Sequence, residues 1–243
     1  MSFLSREQLR IGLFPGQLIL AGRQRGLRRT TTWEGTVPVA ASDDPRHWQP
    51  AVDTLAAALG EFNPGKREVT VILSNHFVRY SLLPWNAALK TADEWLALAR
   101  HRLSSAHGDA ISEWEIQVSE TAPKGPRVAC AIDKPLLDTV ETTIAGSGAR
   151  LASMQPLLVA AFNRLRPKAG ESCWLVIAEA ACLTLVLIEL GNWRAIMSRQ
   201  VGEEWRAELP GMLERESAIL GLEQPYDEVV VCTRDLFDTQ PAP

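Results

Sequence analysis

The same order of predicted elements, three strands followed by a helix and a fourth strand, occurs twice along this sequence. The first copy has its strands at residues 9–14, 18–22 and 30–39, its helix at 46–61 and its fourth strand at 68–73. The second has strands at 173–178, 183–190 and 193–198, a helix at 203–220 and a strand at 228–232. The strands are short apolar or β-branched runs separated by turn dipeptides such as Pro15-Gly16 and Gly191-Asn192. A duplicated βββαβ unit therefore organises the chain.

Further elements separate the two units. We predict strands at 77–83, 113–120, 127–132 and 150–154, and helices at 91–105, 135–145 and 156–165. Thr91 and Glu94 have the spacing of a capping box, and Gly146-Ser147-Gly148 has the composition of a helix stop. Residues 167–170 have the composition of a hinge. We place two domains at residues 1–167 and 168–243, the first with inserted strand and helix elements.

The composition and the hydropathy pattern argue against a nucleic-acid-binding, disulfide-rich, secreted or membrane-spanning protein. Hydrophobic residues make up 46% and charged residues 22% of the chain, as in soluble globular proteins. The net charge of -4 gives no overall attraction to nucleic acid. The four cysteines lie far apart, which favours free thiols in a reducing compartment over disulfides or a zinc site. No secretory signal or membrane-spanning helix is expected from the hydropathy pattern.

Ser74, Asn75 and His76 follow the apolar strand at 68–73, and ligands of open α/β sheets bind at the carboxyl ends of strands. In a catalytic interpretation, His76 is a general base beside Ser74, but the sequence identifies no partner acid. In a structural interpretation, the three residues turn the chain at the strand end and His76 contacts backbone groups. We favour the structural interpretation.

Three stretches, at residues 69–85, 127–165 and 173–196, resemble the PilM-like proteins of type IV pili and the cytoplasmic domains of GspL-like type II secretion proteins. This resemblance implies an α/β fold of the actin-like ATPase superfamily, with duplicated RNase H-like βββαβ lobes and a nucleotide site between them. In active members, each lobe opens with a D-x-G-x-x-[ST] turn that binds phosphate and positions a metal.

Both corresponding turns have lost that pattern here. The first contains no acid, and Pro15 removes an amide donor. The second retains a single carboxylate, Glu179, and no glycine. We therefore predict a degenerate nucleotide site with no cofactor and no dedicated metal site, in which Glu179 is the residual candidate for metal or nucleotide contact.

The resemblance implies a non-enzymatic scaffold that is cytoplasmic and peripheral to the inner membrane. The implied partners are a membrane-anchored PilN-like or GspM-like component and a GspE-like or PilB-like motor ATPase, with homodimer formation as a further possibility. Phe77, Tyr80 and Trp85 are the candidate partner-binding residues, because aromatic side chains anchor interfaces. The alternatives are an active ATPase or kinase of the same fold that uses Glu179, and an adaptor domain unrelated to secretion.

Overall fold

The computed structural model describes residues 8–24, 30–41, 46–119, 124–168, 170–222 and 228–233. The first βββαβ unit is present in it. Its elements are β1 (Gln8–Phe14), β2 (Gln17–Gln24), β3 (Thr30–Pro38), α1 (Gln49–Phe62) and β4 (Glu68–Leu73). The hairpins β1–β2 and β2–β3 are antiparallel, whereas β4 returns through α1 to lie parallel to β1. A crossover helix is the usual connection between parallel neighbours.

Four strands and three α-helices separate the two units. They are β5 (Val78–Leu83), α2 (Ala92–His107), β6 (Trp114–Val118), β7 (Arg127–Asp133), α3 (Lys134–Gly146), β8 (Arg150–Pro156) and α4 (Leu157–Leu165). Strands β5, β7 and β6, in that order, form a small antiparallel sheet on which α2 packs, and we call these four elements the inserted unit. Strand β8 joins the first sheet beside β4, so that sheet has the order β3-β2-β1-β4-β8.

The second βββαβ unit repeats the first. It consists of β9 (Cys173–Glu179), β10 (Cys182–Glu189), β11 (Asn192–Gln200), α5 (Trp205–Ile219) and β12 (Val229–Cys232). Its sheet has the order β11-β10-β9-β12, with β12 parallel to β9, which matches β3-β2-β1-β4 of the first sheet. The predicted duplication is confirmed.

Helix α4 lies between the two sheets. Its residues Leu158 and Ala161 share one apolar cluster with Ile72 of β4 and with Leu175 and Ile177 of β9. The alternate residues of the same strands face outward, those of β4 towards α1 and α3 and those of β9 towards α5. Both faces of β4 and β9 are therefore covered, which accounts for their nearly continuous apolar sequences.

Two local features differ from the sequence prediction. The β10–β11 turn is Leu190-Gly191 rather than Gly191-Asn192, because Asn192 already pairs with Glu189. Residues Asn75–Phe77 form a single 3-10 turn, so β5 begins at Val78 instead of Phe77. The capping box of α2 is confirmed: Glu94 N–H donates to Thr91 Oγ1, and Thr91 N–H donates to the Glu94 carboxylate.

The four cysteines are free, as predicted, and Cys173 and Cys182 are buried. Burial raises the pKa of the Cys130 thiol to about 12, so this thiol stays protonated at neutral pH. Among the described residues, no helix is both long enough and apolar enough to cross a bilayer.

Candidate functional site

A group of polar side chains joins the two sheets where their strands end. Ser74, Asn75 and His76 follow β4, Tyr80 lies on β5, and Glu179 ends β9. We call these five residues the inter-sheet cluster. Strands β4 and β9 both end between the sheets, and this convergence brings together residues about a hundred positions apart in sequence.

Ser74 and Glu179 form the central contact of the cluster. The Ser74 hydroxyl donates a hydrogen bond to Glu179 Oε1, and the Asn75 backbone N–H donates to Glu179 Oε2 at 3.1 Å. Both carboxylate oxygens of Glu179, at the end of β9, therefore accept hydrogen bonds from residues that directly follow β4. Ser74 is itself held in place, because its backbone N–H donates to the carbonyl of Leu13 at 2.9 Å.

Asn75 connects this contact to α4. Its Oδ1 accepts hydrogen bonds from the Tyr80 hydroxyl at 2.6 Å and from the backbone N–H of Leu158 at 3.1 Å. Leu158 lies in the first turn of α4, where N–H groups have no partner within the helix, and Pro156 at the N-cap offers no side-chain acceptor. Asn75 thus supplies from a distance the cap that the local sequence lacks.

His76 forms a second link between the sheets. Its Nε2 lies 3.1 Å from the backbone carbonyl oxygen of Ala180, in the β9–β10 turn. Its backbone N–H donates to Ser74 Oγ at 3.1 Å, which caps the 3-10 turn. The contacts that the structural interpretation predicts are present, since the three residues turn the chain at the strand end and the His76 ring nitrogen is directed at a backbone carbonyl.

The surroundings of the cluster shift two of its pKa values. Burial raises the pKa of Glu179, and the hydrogen bonds from Ser74 and Asn75 oppose that rise by stabilising the carboxylate. Burial also raises the pKa of Tyr80 well above its usual range. Its hydroxyl therefore keeps its proton near neutral pH and acts as the donor to Asn75.

The geometry sets limits on what the cluster can do chemically. Ser74 has no exposed surface, so a substrate has no access to its hydroxyl. A metal ion at Glu179 would compete with the donors already bound to both of its oxygens. In the described parts of the chain, no three histidine, cysteine or acidic side chains converge as metal ligands do. Glu179 and its hydrogen-bond donors therefore do not fit a bound metal.

The structure places the three candidate partner-binding aromatics in different environments. Phe77 is buried in the core, with 4% of its surface exposed. Tyr80 is partly buried and belongs to the inter-sheet cluster. Trp85, just beyond β5, is 47% exposed. Trp85 is thus the member of the set whose ring is available to a partner, and its role in binding stays a prediction.

Sequence reasoning found the members of the cluster but not their connections. The sequence identifies no acid beside Ser74 and His76, and it indicates Glu179 only as a metal or nucleotide ligand. The cap that Asn75 provides to α4 was missed. The duplication itself was an available signal for these contacts. If corresponding strands of both units end at the space between the lobes, the residues at the end of β4 and those at the end of β9 should lie close together.

Comparison with solved structures identifies the fold. The structure is similar to a protein of the PilM-PilN type IV pilus biogenesis complex, with a TM-score of 0.62 and 14% identity over 98% of this chain and 84% of that one. The cytoplasmic domain of EpsL, an inner-membrane component of the type II secretion system of Vibrio cholerae, gives a TM-score of 0.59 with 10% identity over 93% and 82%.

A third similar structure is a Bacteroides thetaiotaomicron protein described as having an actin-like ATPase fold and unknown function. Its TM-score is 0.60, with 10% identity over 97% of this chain and 95% of that one. No protein-family model matches the sequence, and no curated protein matches it. The fold is that of the actin-like ATPases, and the resemblance to PilM-like and GspL-like proteins is confirmed as a similarity of fold.

Proposed function

We propose that this chain is a non-catalytic scaffold of a type IV pilus or type II secretion assembly platform, located at the cytoplasmic face of the inner membrane. The observation that carries the proposal is the contact of Glu179 with Ser74 and Asn75. The carboxylate that the sequence indicates as the residual nucleotide or metal contact accepts hydrogen bonds across the space between the two sheets. The shared fold with the PilM-PilN complex and with EpsL supports the choice of system.

The physical argument concerns what holds the sheets in position. In an actin-like ATPase, nucleotide and metal lie between the lobes, so binding energy and lobe position are coupled. Here, direct hydrogen bonds and the apolar contacts of α4 span the same space. Such a fixed arrangement suits a scaffold, because its binding surfaces are already ordered before a partner binds. Less conformational entropy is then lost on binding.

The proposed partners are the short cytoplasmic tail of a PilN-like or GspM-like membrane protein and a GspE-like or PilB-like motor ATPase. We place a partner contact at Trp85, because a large exposed aromatic ring gains binding energy when a partner covers it. A tail that packs on Trp85 would contact the inserted unit, at the end of β5 that is remote from the inter-sheet cluster.

Co-purification tests this proposal. The tagged chain, expressed in its native cells, should bring down an inner-membrane pilus or secretion component and the motor ATPase, identified by mass spectrometry. Trp85→Ala should reduce recovery of the membrane component, whereas Ile219→Ala, which removes an exposed apolar side chain from α5, should not. Recovery of neither class of partner by the unmodified chain would contradict the proposed function.

An active ATPase or kinase remains the second candidate, because Glu179 lies beside the β9–β10 turn and faces the space between the sheets. A thermal-shift measurement with ATP and Mg²⁺ separates the two candidates. A ligand at about 100 times its dissociation constant adds about 2.7 kcal/mol to the free energy of unfolding. We expect no shift at millimolar ATP. A shift that disappears in Glu179→Ala would favour the enzyme.

A further inference from the structure

A cavity of about 300 Å³ opens on the surface of the inserted unit, away from the inter-sheet cluster. This volume is at the lower end of the range for ligand pockets. Basic side chains and hydroxyl groups supply most of its lining. The residues that matter for its chemistry are Arg100, His101, Ser104, Ser112, Trp114 and Lys134.

Three separate elements place these residues around one space. Arg100, His101 and Ser104 lie within one turn of α2, and residues three or four positions apart share a face of a helix. Ser112 belongs to the short 3-10 segment after α2, and Trp114 begins β6. Lys134 is the first residue of α3, so the cavity lies beside a helix N-terminus, where the backbone favours negative charge.

The basic side chains that line the cavity have no acidic partner among the other lining residues. No acidic residue lines it, although the chain as a whole carries a net charge of -4. In the described part of the chain, Arg100, His101 and Lys134 form no ion pair with any acidic side chain. The acid adjacent to Lys134, Asp133, accepts a hydrogen bond from Trp48 Nε1 at 2.9 Å.

We propose that this cavity binds the phosphate group of an organic phosphate. A phosphate offers several acceptor oxygens, and the planar guanidinium of Arg100 can meet two of them while Lys134 contributes a point charge. The half-buried ring of Trp114 forms an apolar wall for the organic part of the ligand. The hydroxyls of Ser104 and Ser112 donate to backbone carbonyls of their own turns, so the basic side chains carry the recognition. This inference is independent of the scaffold proposal.

Two sources of the phosphate group can be distinguished by experiment. The soluble arm titrates the full chain with glycerol 3-phosphate and follows binding by calorimetry and by NMR. The membrane arm measures co-sedimentation with phosphatidylcholine vesicles that either contain or lack phosphatidylglycerol. Saturable binding in the soluble arm identifies a free phosphate ester as the ligand. Binding confined to phosphatidylglycerol vesicles identifies a lipid headgroup, and either result supports the site.

The decisive comparison is between two double variants with the same change in net charge. Arg100→Gln with Lys134→Gln should weaken binding about tenfold or more, because each charge-assisted hydrogen bond to phosphate is strong. Lys66→Gln with Arg215→Gln removes exposed charges elsewhere and should bind as the unmodified chain does. All four side chains are exposed, and circular dichroism should show both variants folded.

Three results would overturn the proposal. They are an absence of saturable binding by the unmodified chain in both arms, equal affinity of the unmodified chain and the Arg100/Lys134 variant, and an equal loss in the two double variants. The last of these would mean that binding follows overall charge rather than this cavity.

Discussion

Asn75 accepts two hydrogen bonds with one side-chain oxygen, and its two donors belong to β5 and α4. The residue is 7% exposed, so water cannot replace it as the acceptor. Removing a buried acceptor costs more than its hydrogen bonds are worth in the intact protein, because the donors left behind stay desolvated. Loss of the Asn75 acceptor should therefore destabilise the protein more than loss of the Tyr80 hydroxyl, which removes only one of the two donors.

We expect Asn75→Ala to lower the free energy of unfolding by about 2 to 4 kcal/mol, since it leaves two buried donors without an acceptor. Tyr80→Phe removes one donor and should cost only about 1 kcal/mol. Urea denaturation followed by tryptophan fluorescence measures both. Asn86→Ala is the control, because Asn86 Oδ1 accepts a hydrogen bond from the Ala88 N–H at 2.9 Å in an exposed loop, where water can replace the lost acceptor. It should cost about 1 kcal/mol or less. Equal losses in Asn75→Ala and Tyr80→Phe would contradict this assignment.

Glu179 should make the stability of the protein depend on pH. Burial raises its pKa above the ordinary value of 4.5, so the native state holds this proton more tightly than the unfolded chain does. The contribution of Glu179 to the free energy of unfolding is therefore complete below the unfolded pKa and falls as the pH rises through the native pKa.

The measurement compares the unmodified chain with Glu179→Gln, whose amide does not titrate. The free energy of unfolding of the unmodified chain relative to this variant should decrease as the pH rises from below the ordinary carboxyl value of 4.5 through the raised pKa of the native state. Glu214→Gln, at an exposed position on α5, is the control: it shows how the pH dependence of stability changes when a solvent-exposed glutamate is replaced. A difference between the unmodified chain and Glu179→Gln that is independent of pH would contradict this assignment, because it would mean that the native and unfolded states bind the Glu179 proton equally well.

At the scale of elements, the β10–β11 hairpin contains a residue that does not suit its conformation. Leu190 and Gly191 form the two-residue turn with φ values of 51° and 78°. A turn with two left-handed residues matches the twist of a hairpin, and asparagine followed by glycine is its preferred sequence. Leucine is unfavourable at such a φ, and this side chain is 62% exposed, so it gains little from burial.

Leu190→Asn should therefore stabilise the protein by about 0.5 to 1 kcal/mol, measured as an increase in the urea midpoint without a change in slope. Leu190→Val is the control and should have the opposite effect. A β-branched side chain tolerates a left-handed backbone even less than leucine does, so this variant should destabilise the protein. A Leu190→Asn variant with a urea midpoint no higher than that of the unmodified chain would contradict this explanation.

Local signals in the sequence were sufficient to predict the elements but not the contacts between them. Apolar runs bounded by Pro15-Gly16 in the first unit and by Gly191 in the second predicted both βββαβ units, and Thr91 with Glu94 fixed the start of α2. The contact between Ser74 and Glu179 joins residues 105 positions apart, and no local pattern encodes it. Phe77 shows the same limit, because an aromatic residue at a strand end has the same sequence signature whether it is buried or exposed.

At the scale of the whole molecule, α4 determines how the two sheets are coupled. Its buried residues complete one apolar cluster that draws on β1, β2 and β4 of the first sheet and on β9 and β10 of the second. The inserted unit has its own cluster, formed by α2, β5, β6 and β7. Loss of packing at α4 should therefore loosen both sheets together, whereas loss of packing within the inserted unit should act locally.

Leu158→Ala and Leu103→Ala test this difference with the same change of side chain. Each leucine is at most 1% exposed, so each substitution leaves a cavity and should cost about 2 to 5 kcal/mol. Native-state hydrogen exchange then reports which amides lose protection. Leu158→Ala should accelerate exchange in β1 and β4 and, to a similar extent, in β9 and β10, because Leu158 packs between the two sheets. Leu103→Ala should accelerate exchange mainly in α2, β6 and β7. If Leu158→Ala affected the amides of one sheet only, α4 would belong to that sheet and the two halves of the molecule would open independently.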